Sequence, residues 1–94
     1  MAGTFHQFSA CIVVYEKQPY WGPELQRQLL DRNVLVRECR SIGDLIREIE
    51  ETSATIVLMD VDASPSECLV WLSRRDPGTM PFSVIACASR RFRE

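Results

Sequence analysis

Apolar residues fall along this chain in two patterns. Short continuous runs alternate with longer segments in which apolar positions recur every three or four residues. The first run, Cys11-Ile12-Val13-Val14-Tyr15, is unbroken and rich in β-branched residues, as suits a strand covered on both faces. Gln18 to Pro23 is turn-rich, and Pro23 is placed to open a helix running from Glu24 to Arg32, with Leu25 and Leu29 on one face. Asn33 suits a left-handed end to that helix. Val34 to Glu38 reads as a second strand, alternating and therefore less covered.

Ser41 with Asp44 three residues on has the form of a capping box. Behind it Ile42, Leu45, Ile46 and Ile49 fall at i, i+3, i+4 and i+7, the clearest helical stripe in the chain. Ala54 to Met59, ending at Asp60, predicts a third strand. Ser64-Pro65-Ser66-Glu67 sets a cap, a proline at the first helical position and an acid at the third. Leu69 and Leu72, helped by Cys68 or Trp71, are expected on the buried side of this third helix, and Asp76-Pro77-Gly78 stops it. Phe82 to Cys87 is the last strand. Strands alternating with helices imply a parallel α/β sheet, and right-handed crossovers restrict its topology. The expected order is 2-1-3-4 with three helices.

The 94 residues suffice for one domain, 1–94, with residues 1–9 expected as a flexible N-terminus and 89–94 as a C-terminal tail. Apolar residues make up 46% and charged residues 26%, values ordinary for a globular protein. The net charge of −2 gives no general attraction to nucleic acid or anionic membrane. The four cysteines, Cys11, Cys39, Cys68 and Cys87, lie in or beside apolar runs and form no CxxC pair, which predicts buried free thiols and a reducing compartment, the cytoplasm. No run approaches the roughly 20 apolar residues of a membrane span, and the N-terminus lacks the form of a secretory signal.

Sites in open parallel sheets lie beyond the carboxyl ends of the strands. Those ends carry Tyr15 and Glu16, Asp60 and Asp62, and Ala88 and Ser89. Converging carboxylates there are the usual oxygen ligands of magnesium, which makes Glu16 and Asp60 the metal candidates. His6, the only histidine, sits in the expected flexible terminus. Tyr20 and Trp21 are expected to cover the sheet end. Arg74 and Arg75 complement the dipole of the third helix, and the tail Arg90-Arg91-Phe92-Arg93 reads as a solvated segment.

The run Thr55-Ile56-Val57-Leu58-Met59-Asp60 with a later proline resembles the phosphoacceptor strand of a bacterial response-regulator receiver, and Pro81 to Ala88 is similar to that family's fourth strand. The resemblance covers about residues 10–90. It implies a flavodoxin-like fold, a role in two-component signalling or phosphorelay, and Asp60 as the phosphoacceptor. The family's acidic pair after the first strand reads Tyr15-Glu16 here, so a phenol replaces one carboxylate. Ala88 stands where the family has a serine or threonine, the proline after Asp60 is displaced to Pro65, and no fifth strand with its lysine follows.

Phosphoryl transfer depends on positioning and on cations that offset charge on the transferred oxygens. The expectation is therefore a degenerate, truncated pseudo-receiver: a regulatory or protein-interaction module, not an enzyme, with no cofactor and no magnesium-dependent phosphorylation. The alternative is a true receiver fragment phosphorylated on Asp60 with magnesium. A small hydrolase or nucleotide-binding domain is a third reading, but the chain offers no nucleophile–base pair. Partners are expected at the fourth-strand edge, through self-association (a dimer) or another protein, with Phe82, Val84 and Ile85 as interface residues. Neither membrane nor nucleic acid is expected as a partner.

Overall fold

The computed structural model describes residues 8–75, 78 and 80–88. The expectations for the first seven residues with His6, for Asp76 and Pro77, and for the 89–94 tail fall outside the described residues. The elements run β1 (Ala10–Tyr15), α1 (Trp21–Gln28), β2 (Val34–Cys39), α2 (Ile42–Thr52), β3 (Ile56–Asp60), α3 (Pro65–Ser73) and β4 (Ser83–Cys87). The four strands form one parallel sheet in the order β2-β1-β3-β4, as the alternation of runs predicts.

Side chains of successive strand residues point to opposite faces, and the two faces are unequally covered. Cys11, Val13 and Tyr15 of β1 join Cys39, Val57 and Met59 on the face that α2 and α3 cover, where Leu45, Cys68 and Trp71 complete the core. α1 lies on the other face against β2, with Glu38 over Gly22. A Cβ at position 22 would stand 2.4 Å from the Glu38 Cδ, so glycine permits this approach. Glu38 is held there by Gln26 Nε2 at 2.9 Å and Arg40 Nη2 at 3.1 Å.

The helix ends differ in an instructive way. Ser41 caps α2 as its spacing predicts, its Oγ accepting from the Asp44 N–H at 3.1 Å. α2 closes on Ser53 in the left-handed region, φ 53°. α1 begins and ends earlier than the sequence suggests: Pro23 is its third residue, not its first, and the helix stops at Gln28. Asn33 is left-handed, φ 59°, but sits at the entry to β2, five residues past the helix. Ser9 is bonded to it, the Ser9 N–H donating to the Asn33 carbonyl at 3.0 Å.

α3 opens on Pro65 as expected, but it buries a different face. Cys68 and Trp71 are buried and Leu72 half-buried, whereas Leu69 is 65% exposed. On a helix one rotation must serve all side chains. The large indole of Trp71, stacked on Phe82 with centroids 6.2 Å apart, takes the core position and turns Leu69 and Val70 outward.

This rotation makes a stability prediction. Leu45→Ala, at a fully buried position, should cost about 2–5 kcal/mol, while Leu69→Ala should stay within about 0.5 kcal/mol. Urea unfolding of the two variants checks it, and equal losses would mean that α3 packs by the leucine face after all.

Candidate functional site at the strand ends

In a parallel sheet the carboxyl ends of all strands emerge on one side, and registry aligns all four of them here. Tyr15 aligns with Met59 on β3 and Cys39 on β2, and Asp60 aligns with Cys87 on β4. β4 ends at Cys87, as the sequence predicts, and Cys87 is the residue aligned with Asp60. The Val61 N–H donates to the Cys87 carbonyl at 2.9 Å and extends the pairing by one bond.

Glu16 follows β1 directly and is 1% exposed. Its Oε2 accepts from the Tyr20 N–H at 3.0 Å and the Gly22 N–H at 2.8 Å, and its Oε1 accepts from the Trp21 N–H at 3.0 Å. These are the donors at the start of α1 that have no partner within the helix. The next residue, Pro23, has no N–H to satisfy. One carboxylate therefore serves the whole N-terminus of α1, where the helix dipole also favours negative charge. Both lone pairs of Oε2 are engaged, so Glu16 faces inward to the backbone. Tyr20 and Trp21 are held by their amides, both residues are exposed, and their rings pack edge to face 4.9 Å apart.

Tyr15, the last residue of β1, turns to the α2–α3 face. Its hydroxyl pairs with the Ser64 Oγ at 2.5 Å. Ser64 stands at the N-cap of α3, yet its side chain makes no capping bond, because the buried phenol claims it. Burial holds the Tyr15 phenol above its usual range, against the opposing hydrogen bond from Ser64.

Asp60 ends β3 half-buried, and its Oδ1 accepts from the Asp62 N–H at 3.0 Å, a local turn that closes the loop leading to α3. Cys87 lies among the acids. Burial raises its thiol first, followed by the charges of Asp60, Glu16 and Asp62, so all three carboxylates act on one point. Of the metal candidates, Glu16 already accepts from three backbone amides and Asp60 from one. Among the described residues no group of three or more His, Cys, Asp or Glu is arranged to hold a metal ion.

Of the proposed interface residues, Phe82 and Val84 pack against the core, leaving Ile85, 52% exposed, on the opposite face. The four cysteines are free: Cys11, Cys39 and Cys68 are buried and Cys87 is half-buried. No helix among the described residues is long and apolar enough to cross a membrane. Comparison with known family models, with characterised proteins and with solved structures found no match.

The role of Glu16 escaped the sequence reading, although a signal exists. The first turn of α1 has tyrosine at the cap position and proline at the third, so no local side chain of capping type is at hand. An acid four residues upstream is the nearest substitute.

The buried thiols and phenol predict a pH dependence. Burial, with a contribution from Glu48 and against Arg40, pushes the Cys39 thiol from 9.0 up to about 12, and Cys68, Cys87 and Tyr15 are raised too, burial again first. A raised value means that the folded state holds the proton more tightly, so this stability is complete below pH 9 and is lost as pH climbs towards 12. Urea midpoints should be flat from neutrality to pH 9 and fall beyond it; a steady midpoint across the alkaline window would contradict the burial of these groups.

Proposed function

We propose that this chain is a non-catalytic, receiver-like binding module that pairs with a second copy through β4. The observation that carries the reading is the state of that strand. β4 stands at the end of the sheet, its residues Ser83–Cys87 include no charge, and Ile85 is exposed on the face that α1 leaves open.

Val14, Leu58 and Ile85 are aligned across that face. Val14 is wholly buried, Leu58 half-buried and Ile85 exposed, so cover declines from β1 to β4. An uncharged edge strand without proline or bulge has few defences against pairing. Two copies related by a twofold axis would pair β4 with β4 and cover both Ile85 side chains, a closed arrangement. Burying each isoleucine fully contributes about 1.5–3 kcal/mol.

A regulatory role in bacterial signalling rests on the resemblance to receivers. The absence of ordinary phosphotransfer from that role is supported by the chemistry at the strand ends. Glu16 serves α1, a phenol stands in place of its acidic partner, and Cys87 rather than a hydroxyl residue lies beside Asp60. A phosphoacceptor Asp60 is the alternative. Free thiols suit a reducing compartment such as the cytoplasm.

Sedimentation of the wild type at tens of micromolar should give a dimer, and Ile85→Lys should give a folded monomer. A monomeric wild type, or a dimer indifferent to Ile85→Lys, would overturn the reading.

A further inference from the structure

The bonds that β4 makes to β3 fix which of its backbone groups face outward. The Ser83 N–H donates to the Thr55 carbonyl at 3.0 Å, and the Cys87 carbonyl accepts from the Val61 N–H at 2.9 Å. Alternate residues of a parallel strand bond to the same neighbour. Ser83, Ile85 and Cys87 therefore face β3, and the N–H and C=O groups of Val84 and Ala86 face the open edge. A twofold axis through Ile85 sets Val84 of each copy opposite Ala86 of the other, so that each pair exchanges both its bonds. The same axis matches β4 with its copy over all 5 residues and sets the two exposed Ile85 side chains side by side.

The helix packed on β3 and β4 has an open side of its own. Cys68 and Trp71 seat α3 on the sheet, the Cys68 thiol donating to the Asp60 carbonyl at 3.9 Å and Trp71 stacking on Phe82. Glu67, Val70 and Arg74 lie towards Ile42 and Ile46 of α2. Successive residues of an α-helix advance by about 100°. With these two sides taken, Leu69 and the half-buried Leu72 fall on the third, away from α2. Because α2 packs over β1 and β2, that direction points outward past the β4 edge. Leu69 stands there 65% exposed.

We propose that the β4–β4 dimer has a second layer, in which the Leu69 side of α3 packs against the same side of α3 in the other copy. This seam rests on the β4 pairing proposed above and adds a helical contact to it. Neighbouring strands lie about 4.8 Å apart. Since α3 lies over β3 and β4, joining β4 to its copy sets the two α3 axes two strand spacings apart, about 10 Å. Packed helices stand about 8–10 Å apart, so the seam closes without rearrangement of either copy. Interface size points the same way. A stable interface covers about 800 Å² on each partner, and the edge of one strand of 5 residues, about 17 Å long, falls short of that. The flank of α3 supplies further apolar area. In a single folded chain Leu69 stays in water, so its loss acts on association and not on the fold.

Sedimentation equilibrium of the intact chain measures the dimer constant, with circular dichroism to confirm that each variant is folded. Leu69→Lys should weaken the dimer about tenfold or more. Leu30→Lys, at an exposed leucine between α1 and β2, should leave it unchanged. The wild type supplies a second measurement that needs no variant. As its concentration rises, the Leu69 methyl resonances should shift while hydrogen exchange of the Val84 and Ala86 amides slows. A dimer that Ile85→Lys dissociates but Leu69→Lys leaves intact overturns the seam and leaves the β4 pairing standing. Leu69 methyls that stay in place while the edge amides become protected have the same meaning. A monomeric wild type, or a dimer indifferent to Ile85→Lys, overturns both.

Discussion

The first turn of α1 is held by a single carboxylate. Glu16 leaves the end of β1, turns inward and accepts the amide protons of Tyr20, Trp21 and Gly22. A helix start without a local cap has to find acceptors in water or in a neighbour, and here the neighbour is Glu16. Gly22 lies under Glu38 of β2, and the hydrogen bond from its amide to Glu16 is buried. The bond network links β1, α1 and β2, and the Arg40 Nη1 adds a donation to the Glu16 carbonyl at 3.4 Å. The covered half of that sheet face depends on α1 staying where Glu16 puts it.

The same constraint shapes the chemistry at the strand ends. Carboxylates that converge in water repel one another and await a cation; a carboxylate that accepts three amide protons has its charge offset in place. Tyr15 makes a corresponding link on the opposite face, joining the end of β1 to the start of α3 through Ser64. The two residues that follow one another at the end of β1 thus anchor one helix on each side of the sheet. The phenol at position 15 and the carboxylate at position 16 serve the same architectural end. The proposed pairing rests on a different part of the fold, the edge strand β4.

Much of the fold was legible in the sequence because hydrophobic burial is written in periodicity. The unbroken Cys11–Tyr15 run and the Ile42–Ile49 stripe announce a central strand and an amphipathic helix, and both are found. What escaped depended on distant partners. Proline at the first helical position is the usual reading of Pro23, and that α1 starts two residues earlier follows from the acceptor that Glu16 supplies. Nothing local to Ser64 reveals that its hydroxyl is claimed by Tyr15, 49 residues away in sequence. The buried face of α3 turned on the stacking of Trp71 with Phe82, a contact between elements, and Leu69 was displaced as a result. That Glu16 and Asp60 each stand at a strand end was legible from topology; the amide hydrogen bonds each of them makes were not.

The claim that Glu16 anchors a helix rather than waits for a metal is open to direct measurement. Urea unfolding of Glu16→Ala, in buffer without divalent cations, should show a loss of about 2–4 kcal/mol, since buried amides are left without acceptors. A carboxylate kept for a ligand behaves in the opposite way, because its removal relieves repulsion from Asp60 and Asp62. A Glu16→Ala chain as stable as the wild type, or more stable, would contradict the account.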